Sequence, residues 1–172
     1  MAAEHLTPDQ IAAILADRQR RLAAAPAADT AVAQIDVLRW RLGDTRFGIA
    51  LSAVGGVVAL PPLTAMPGAP REWLGVVQRR ARLLNVFDPG PALGLGAGGD
   101  DAGCMMILRD THKPIAIRIT EAQDILALPT TDLPEDRLLI HVAVPGDDAG
   151  LTMVSPMLLA QRLLAPSRPT KG

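Results

Sequence analysis

Gly94-Leu95-Gly96-Ala97-Gly98-Gly99 fits Gly-x-Gly-x-x-Gly, the spacing with which a turn brings its backbone up to a dinucleotide pyrophosphate. Such a site needs a strand before it, a helix N-terminus after it and no nearby anions. Here Asp100 and Asp101 follow, then a strand-like apolar run, so the segment reads as a flexible acidic loop. Cys104, the single cysteine, stands beside Met105 and Met106. An activated thiolate wants an electropositive, partly exposed setting, and this one reads as core. His5, His112 and His141 are far apart and lack metal-ligand spacing. Ser52 and Ser155 lie outside any Gly-x-Ser-x-Gly elbow, and Ser155-Pro156 is better explained as a helix cap. The acidic pairs Asp100-Asp101, Glu135-Asp136 and Asp147-Asp148 fall in loops or turns, where solvation is the default. No catalytic, cofactor-binding or metal-ligating set is expected.

What is left is recognition chemistry. Arg79, Arg80 and Arg82 sit between two short apolar runs, Leu74 to Val77 and Leu83 to Phe87. That is how a strand, a tight reversal and a second strand are written, so a β-hairpin with a charged tip is predicted. A charge run is by default a solvated face. An arginine at such a tip can also bind a partner carboxylate through two parallel hydrogen bonds, which a lysine does not reproduce.

The elements that must position this tip are short strands. With 172 residues the chain suits one domain, long enough to bury roughly two-thirds of its unfolded surface. Its aromatic residues are Trp40, Trp73, Phe47 and Phe87, so the core must come from Ala, Val, Leu and Ile. A formal net charge of -1 gives no general attraction to nucleic acid or anionic membrane. The lone cysteine points to a reducing, cytoplasmic compartment, and the charged N-terminus does not read as a signal peptide. The charge-free stretch from Phe47 to Pro70 is interrupted by Gly55-Gly56, Pro61-Pro62 and Pro67, so no membrane span is expected.

Thr7-Pro8-Asp9-Gln10 reads as a helix start, with Ile11, Ile14, Leu15, Arg18 and Leu22 on one face and Asp17 with Arg21 as an i,i+4 pair. A helix this short is marginal alone, so it docks on the domain or waits for a partner. An Ala-rich linker closes residues 1–33. The globular domain, 34–165, is expected as a first barrel at about 34–93 and a second at about 104–165, with a disordered tail at 166–172. Ile35 to Leu42 alternates, Val37, Arg39 and Arg41 against Leu38, Trp40 and Leu42, and Gly43-Asp44 turns it into Phe47-Gly48-Ile49. Further strands are predicted at Leu51 to Leu60, Cys104 to Leu108, Pro114 to Thr120, Ile125 to Leu128, Leu138 to Val144 and Leu151 to Val154. A turn of helix is predicted within Pro89 to Leu95, a turn at Gly146-Asp147-Asp148, and a closing helix from Met157 to Leu164. Strands of this length joined by turns argue for an all-β domain of small barrels.

The stretch Trp73 to Asp88, preceded by Met66-Pro67 and Pro70, resembles the signature of CheW-like domains, a Pro-containing loop leading into Gly-Val-Ile-Asn-Leu-Arg-Gly and an apolar strand ending in Asp-Leu-Arg. Gly75, Val76, Val77, Arg80 and Asp88 fall on that pattern. Gln78, Arg79 and Ala81 depart from it, standing where the family has Asn, Leu and Gly, and Pro89-Gly90 replaces Leu-Arg.

The resemblance, over about Val37 to Leu164, implies a mainly β fold: two intertwined five-stranded SH3-like barrels with a hydrophobic seam, here with an N-terminal and a short C-terminal helix. It implies a non-enzymatic cytoplasmic adaptor that needs no cofactor and bridges the cytoplasmic tip of chemoreceptors to the regulatory domain of a CheA-type histidine kinase. The implied partner-binding residues are Arg80 with Gly75, Val76, Val77, Gln78, Arg79 and Arg82, and no nucleic acid or inserted membrane is among the partners. Two other readings stay open: an adaptor of the same fold with changed clients, such as a pilus-motility or other two-component pathway, and a small β-barrel ligand binder or enzyme, which would need a pocket with convergent polar groups.

Overall fold

The computed structural model describes residues 8–24, 32–96 and 103–165, the side chains of 21–24 excepted. The chain forms α1 (Pro8–Ala24), β1 (Gln34–Leu42), β2 (Thr45–Ala50), β3 (Val54–Ala59), β4 (Trp73–Arg79), β5 (Arg82–Phe87), β6 (Cys104–Leu108), β7 (Ile115–Ile119), β8 (Glu121–Pro129), β9 (Leu139–Val144), β10 (Asp147–Val154) and α2 (Pro156–Leu164). Thr7, His5, the Arg21 partner of Asp17, the linker, residues 97–102 with Asp100 and Asp101, and the tail lie outside the described residues.

Ten short strands make two five-stranded sheets, one in the order β8-β1-β2-β10-β9 and the other β3-β6-β7-β5-β4. Each consists of two hairpins joined by a parallel pair, β2 with β10 in the first sheet and β5 with β7 in the second, and a fifth strand on one edge. The strands are not parcelled at the 94–103 loop, as a first barrel at 34–93 and a second at 104–165 would require. β1 and β2 pair with strands from the C-terminal third, and β3 to β5 pair with β6 and β7. The two units are intertwined, and the chain passes twice between them.

The packing follows from which residue points where. Val37, Leu128, Val142, Leu151 and Met153 form one cluster, although Leu128 and Val142 lie on opposite edge strands of the first sheet. A flat sheet would hold these edges apart, so this one curls around its own core. Leu84, Val86, Met105 and Ala116 do the same for the second sheet, with Val58 and Val77 packing in from its two edges. A third and larger cluster lies between the sheets and includes Trp40, Phe47, Ile49, Phe87, Met106, Ile117 and Val154. This is the expected seam.

Having a core on both faces changes the strand pattern. Ile115, Ile117 and Ile119 share the seam face, yet Ala116 and Arg118 on the other face of β7 are buried too. Val37 is buried beside Leu38 for the same reason, so β1 is not the half-exposed strand its alternation suggests. The predicted Leu51 to Leu60 strand begins with a 3-10 turn at Leu51–Ala53. β8 is longer than Ile125 to Leu128 because it pairs along β1, from Gln34 opposite Pro129 to Arg41 opposite Glu121. The four aromatic residues form two cross-strand stacks: Trp40 opposite Phe47 with ring centroids 4.9 Å apart, and Trp73 opposite Phe87 at 6.4 Å.

Helix α1 is docked. Ile11, 2% exposed, enters the seam cluster, Leu15 packs against it, and Arg18 Nη1 donates to Asp36 Oδ1 at 2.8 Å. α2 starts as expected, with Ser155 Oγ accepting from Leu158 N–H at 3.4 Å and Pro156 in the first turn.

Candidate partner-docking surface

The arginine tip is the reversal between β4 and β5. Arg79 pairs with Arg82 across the hairpin, leaving a two-residue loop of Arg80 and Ala81. A right-handed sheet twist is matched by a type I′ turn, which needs positive φ at both loop positions and is usually Asn-Gly. Arg80 (φ 48°) and Ala81 (φ 60°) both take this left-handed conformation without being glycine. Each such residue costs about 1–2 kcal/mol. The sequence signal was available, since a two-residue hairpin loop demands this geometry.

Gln78, Arg80 and Arg82 are exposed, Arg79 is half-buried, and Leu83 beside them is 62% exposed. None of Arg79, Arg80 and Arg82 has an ion-pair partner among the described residues. Several arginines elsewhere are engaged internally. Arg39 grips both carboxylate oxygens of Asp124 and reaches Asp147, Arg41 meets Glu121 at 3.1 Å, and Arg118 meets Asp88 at 3.1 Å. Asp147 is therefore a member of β10 paired with Arg39 and Arg46 rather than a solvated turn residue. Sequence reasoning missed these pairs because their members are tens of residues apart.

The structure separates the other predicted site residues. Val76 is half-buried on β4, and Val77 packs on the inner cluster of the second sheet. Gly75 is buried and so does not offer contact surface. Its φ is +143°, and a Cβ there would lie 2.5 Å from the Thr64 carbonyl oxygen. The loop before β4 crosses at this point, where Thr64 and Val76 exchange two backbone hydrogen bonds of 3.0 Å. Glycine lets that loop approach and cover part of the edge of β4.

Cys104, Ser155, His112 and His141 do not converge on one site. Cys104 is half-buried, and burial, followed by the nearby Glu121 carboxylate, pushes its thiol above the ordinary value, the opposite of an activated thiolate. Ser155 caps α2, His112 lies in an exposed turn, and His141 on β9 contacts Thr152 Oγ1 at 3.4 Å. Among the described residues no group of three or more His, Cys, Asp or Glu is placed to hold a metal. No helix among them is long and apolar enough to cross a membrane.

Two interlocked curled sheets with an apolar seam and a displayed cationic hairpin define a double-barrel β domain of the SH3-like kind. A family model for the CheW-like domain matches residues 36–154, and the chain belongs to that family. It is 26% identical over 108 residues to a probable chemotaxis protein CheW of Rhizobium etli and 27% identical to the chemotaxis protein CheW of Rhizobium meliloti, each covering 59% of this chain and 70% of the relative. The crystal structure of the scaffolding protein TtCheW from Thermoanaerobacter tengcongensis superposes with a TM-score of 0.64 over 78% of this chain and 93% of that one, at 14% identity. The shared fold is the one described above.

Proposed function

We propose that this chain is a non-enzymatic adaptor, working in the cytoplasm, that couples the tips of chemoreceptors to the regulatory domain of a CheA-type histidine kinase. Arg80 meets a partner carboxylate, with Arg79, Arg82, Gln78 and Val76 around it. Gly75 and Val77 act from beneath by holding β4 in place. The observation that carries this reading is the tip itself: a positive-φ loop that would be easier to build from Asn-Gly instead holds an arginine without an internal ion-pair partner. Backbone strain of this kind clusters at functional sites.

Reconstitution tests it. Receptor-containing membranes and kinase from the same organism are assayed for kinase autophosphorylation with and without this chain. Receptor-dependent stimulation should require the chain and fall with Arg80→Glu. Equal kinase activity with and without the chain would contradict the reading. A same-fold adaptor with changed clients is the second reading, supported by Gln78, Arg79 and Ala81 at the tip and by the docked α1, and it is favoured if the chain leaves this kinase unstimulated yet binds another receptor or kinase.

A further inference from the structure

Phe87, Asn85 and Leu83 alternate along β5 and so share one face of the hairpin. Val76 and Gln78 on β4 lie opposite Asn85 and Leu83 on the same face. Beyond the seam this face is open. At its inner end it runs into a cleft of about 480 Å³ between β5 and the last turn of α2. Trp73 and Phe87 line the cleft, and Trp73 Nε1–H donates to the Gly75 carbonyl at 3.1 Å, which fixes the indole. Lys113, Arg162 and Glu72 supply its charge. Lys113 and Arg162 are exposed, and neither has an ion-pair partner among the described residues. At the outer end of the face stand exposed Leu83 and then the arginine tip. From Phe87 to Leu83 is about 14 Å of strand.

We propose that this cleft is an anchor site for an apolar side chain on an acidic segment of a partner protein. A carboxylate of that segment meets Arg162 or Lys113, and the segment runs past Asn85 and Leu83 to the arginines of the tip. The proposal rests on the adaptor reading and adds a second contact to it. Charge selects the occupant: the cleft offers two cations against one carboxylate, and the tip adds three more cations. Residues 166–172, which follow the cleft wall in the sequence, carry Arg168 and Lys171 and no acidic side chain, so they do not complement it. Shape adds to charge, because fixed aromatic walls beside polar rim groups are how anchor pockets at protein interfaces are built.

The test uses the full ¹⁵N-labelled chain, with the receptor-tip fragment and the kinase regulatory domain of the same organism as probes. The chain has two tryptophans, and Trp40 is fully buried, so the Trp73 indole resonance, identified with Trp73→Phe, reports on the cleft. One of the two probes should shift that resonance, and Arg162→Glu, an exposed change whose fold is checked by its thermal midpoint, should weaken that probe about fivefold, more at low salt than at high. Binding that depends on Arg80 but leaves the indole unmoved and Arg162→Glu within twofold of wild type would overturn the cleft proposal and leave the adaptor reading standing. Failure of both probes to bind would overturn both. If ending the chain at Ala165 shifts the indole without any probe, the chain's own end is the occupant and the proposal falls.

Discussion

Arg118 on β7 and Asp88 at the end of β5 form an ion pair inside the second sheet: Arg118 Nη2 donates to Asp88 Oδ2 at 3.1 Å, with side chains 11% and 3% exposed. The other Asp88 oxygen accepts from Gly90 N–H at 2.9 Å and holds the reversal into the 3-10 turn Pro91–Leu93. The pair ties the arginine-tipped hairpin to the central strand of its sheet. Breaking a buried pair from one side leaves an uncompensated charge, which costs about 3–5 kcal/mol. Asp88→Ala should lose that much stability in urea unfolding, and Asp88→Asn combined with Arg118→Met should recover most of it. Additive losses in the double variant would show that the two residues act separately.

The tip conformation predicts that Ala81→Gly stabilises the protein. Relief of a left-handed alanine is worth about 1–2 kcal/mol, and the greater freedom of glycine in the unfolded chain takes back about 0.4–1 kcal/mol. A net gain of about 0.5–1 kcal/mol should appear as a higher urea midpoint at unchanged m. Gly43→Ala, at φ +57° with open space around it, should move the midpoint the other way by a similar amount.

Gly75→Ala meets both a positive φ and the Thr64 carbonyl. It should cost more than about 2 kcal/mol or detach the loop before β4. Hydrogen exchange at the Thr64 and Val76 amides separates the outcomes, since a detached loop exposes these two amides while the rest of the second sheet stays protected.

Cys104 gives a pH dependence. Its thiol is raised above its ordinary value of 9.0 by burial and then by Glu121. Above pH 9 the unfolded chain loses this proton first, so the folded state binds more protons and stability falls as pH rises. The contribution is fully present below about pH 9 and is lost as pH climbs through the folded value. Urea midpoints at pH 8 and pH 10 should differ more for wild type than for Cys104→Ala, and native Cys104 should alkylate slowly at pH 8.

Much of this was legible from local pattern. The hairpin around Arg80, the cap at Ser155 and the turn of helix after Pro89 depend on neighbours within a few residues, and they stand where they were expected. What could not be read depends on contacts between distant segments. Period-two alternation assumes one wet face, and the strands between two cores have none, so the burial of Val37, Ala116 and Arg118 is not legible from their spacing. The intertwining depends on β1 meeting β8, and the cleft on α2 meeting β5, pairings that no spacing in the sequence encodes. Gly75 fitted a motif, but its reason, the passage of Thr64, became visible only in three dimensions.

The proposed function turns on Arg80 meeting a partner carboxylate. Its most direct test is the dissociation constant of this chain for the kinase regulatory domain and for the receptor-tip fragment, measured for wild type, Arg80→Ala and Arg80→Glu. Binding should weaken in that order for one partner, with Arg80→Glu losing at least about tenfold and thermal midpoints no lower than wild type. Equal affinities across the three proteins for a partner that binds wild type would contradict it and return the arginine tip to a solvated face.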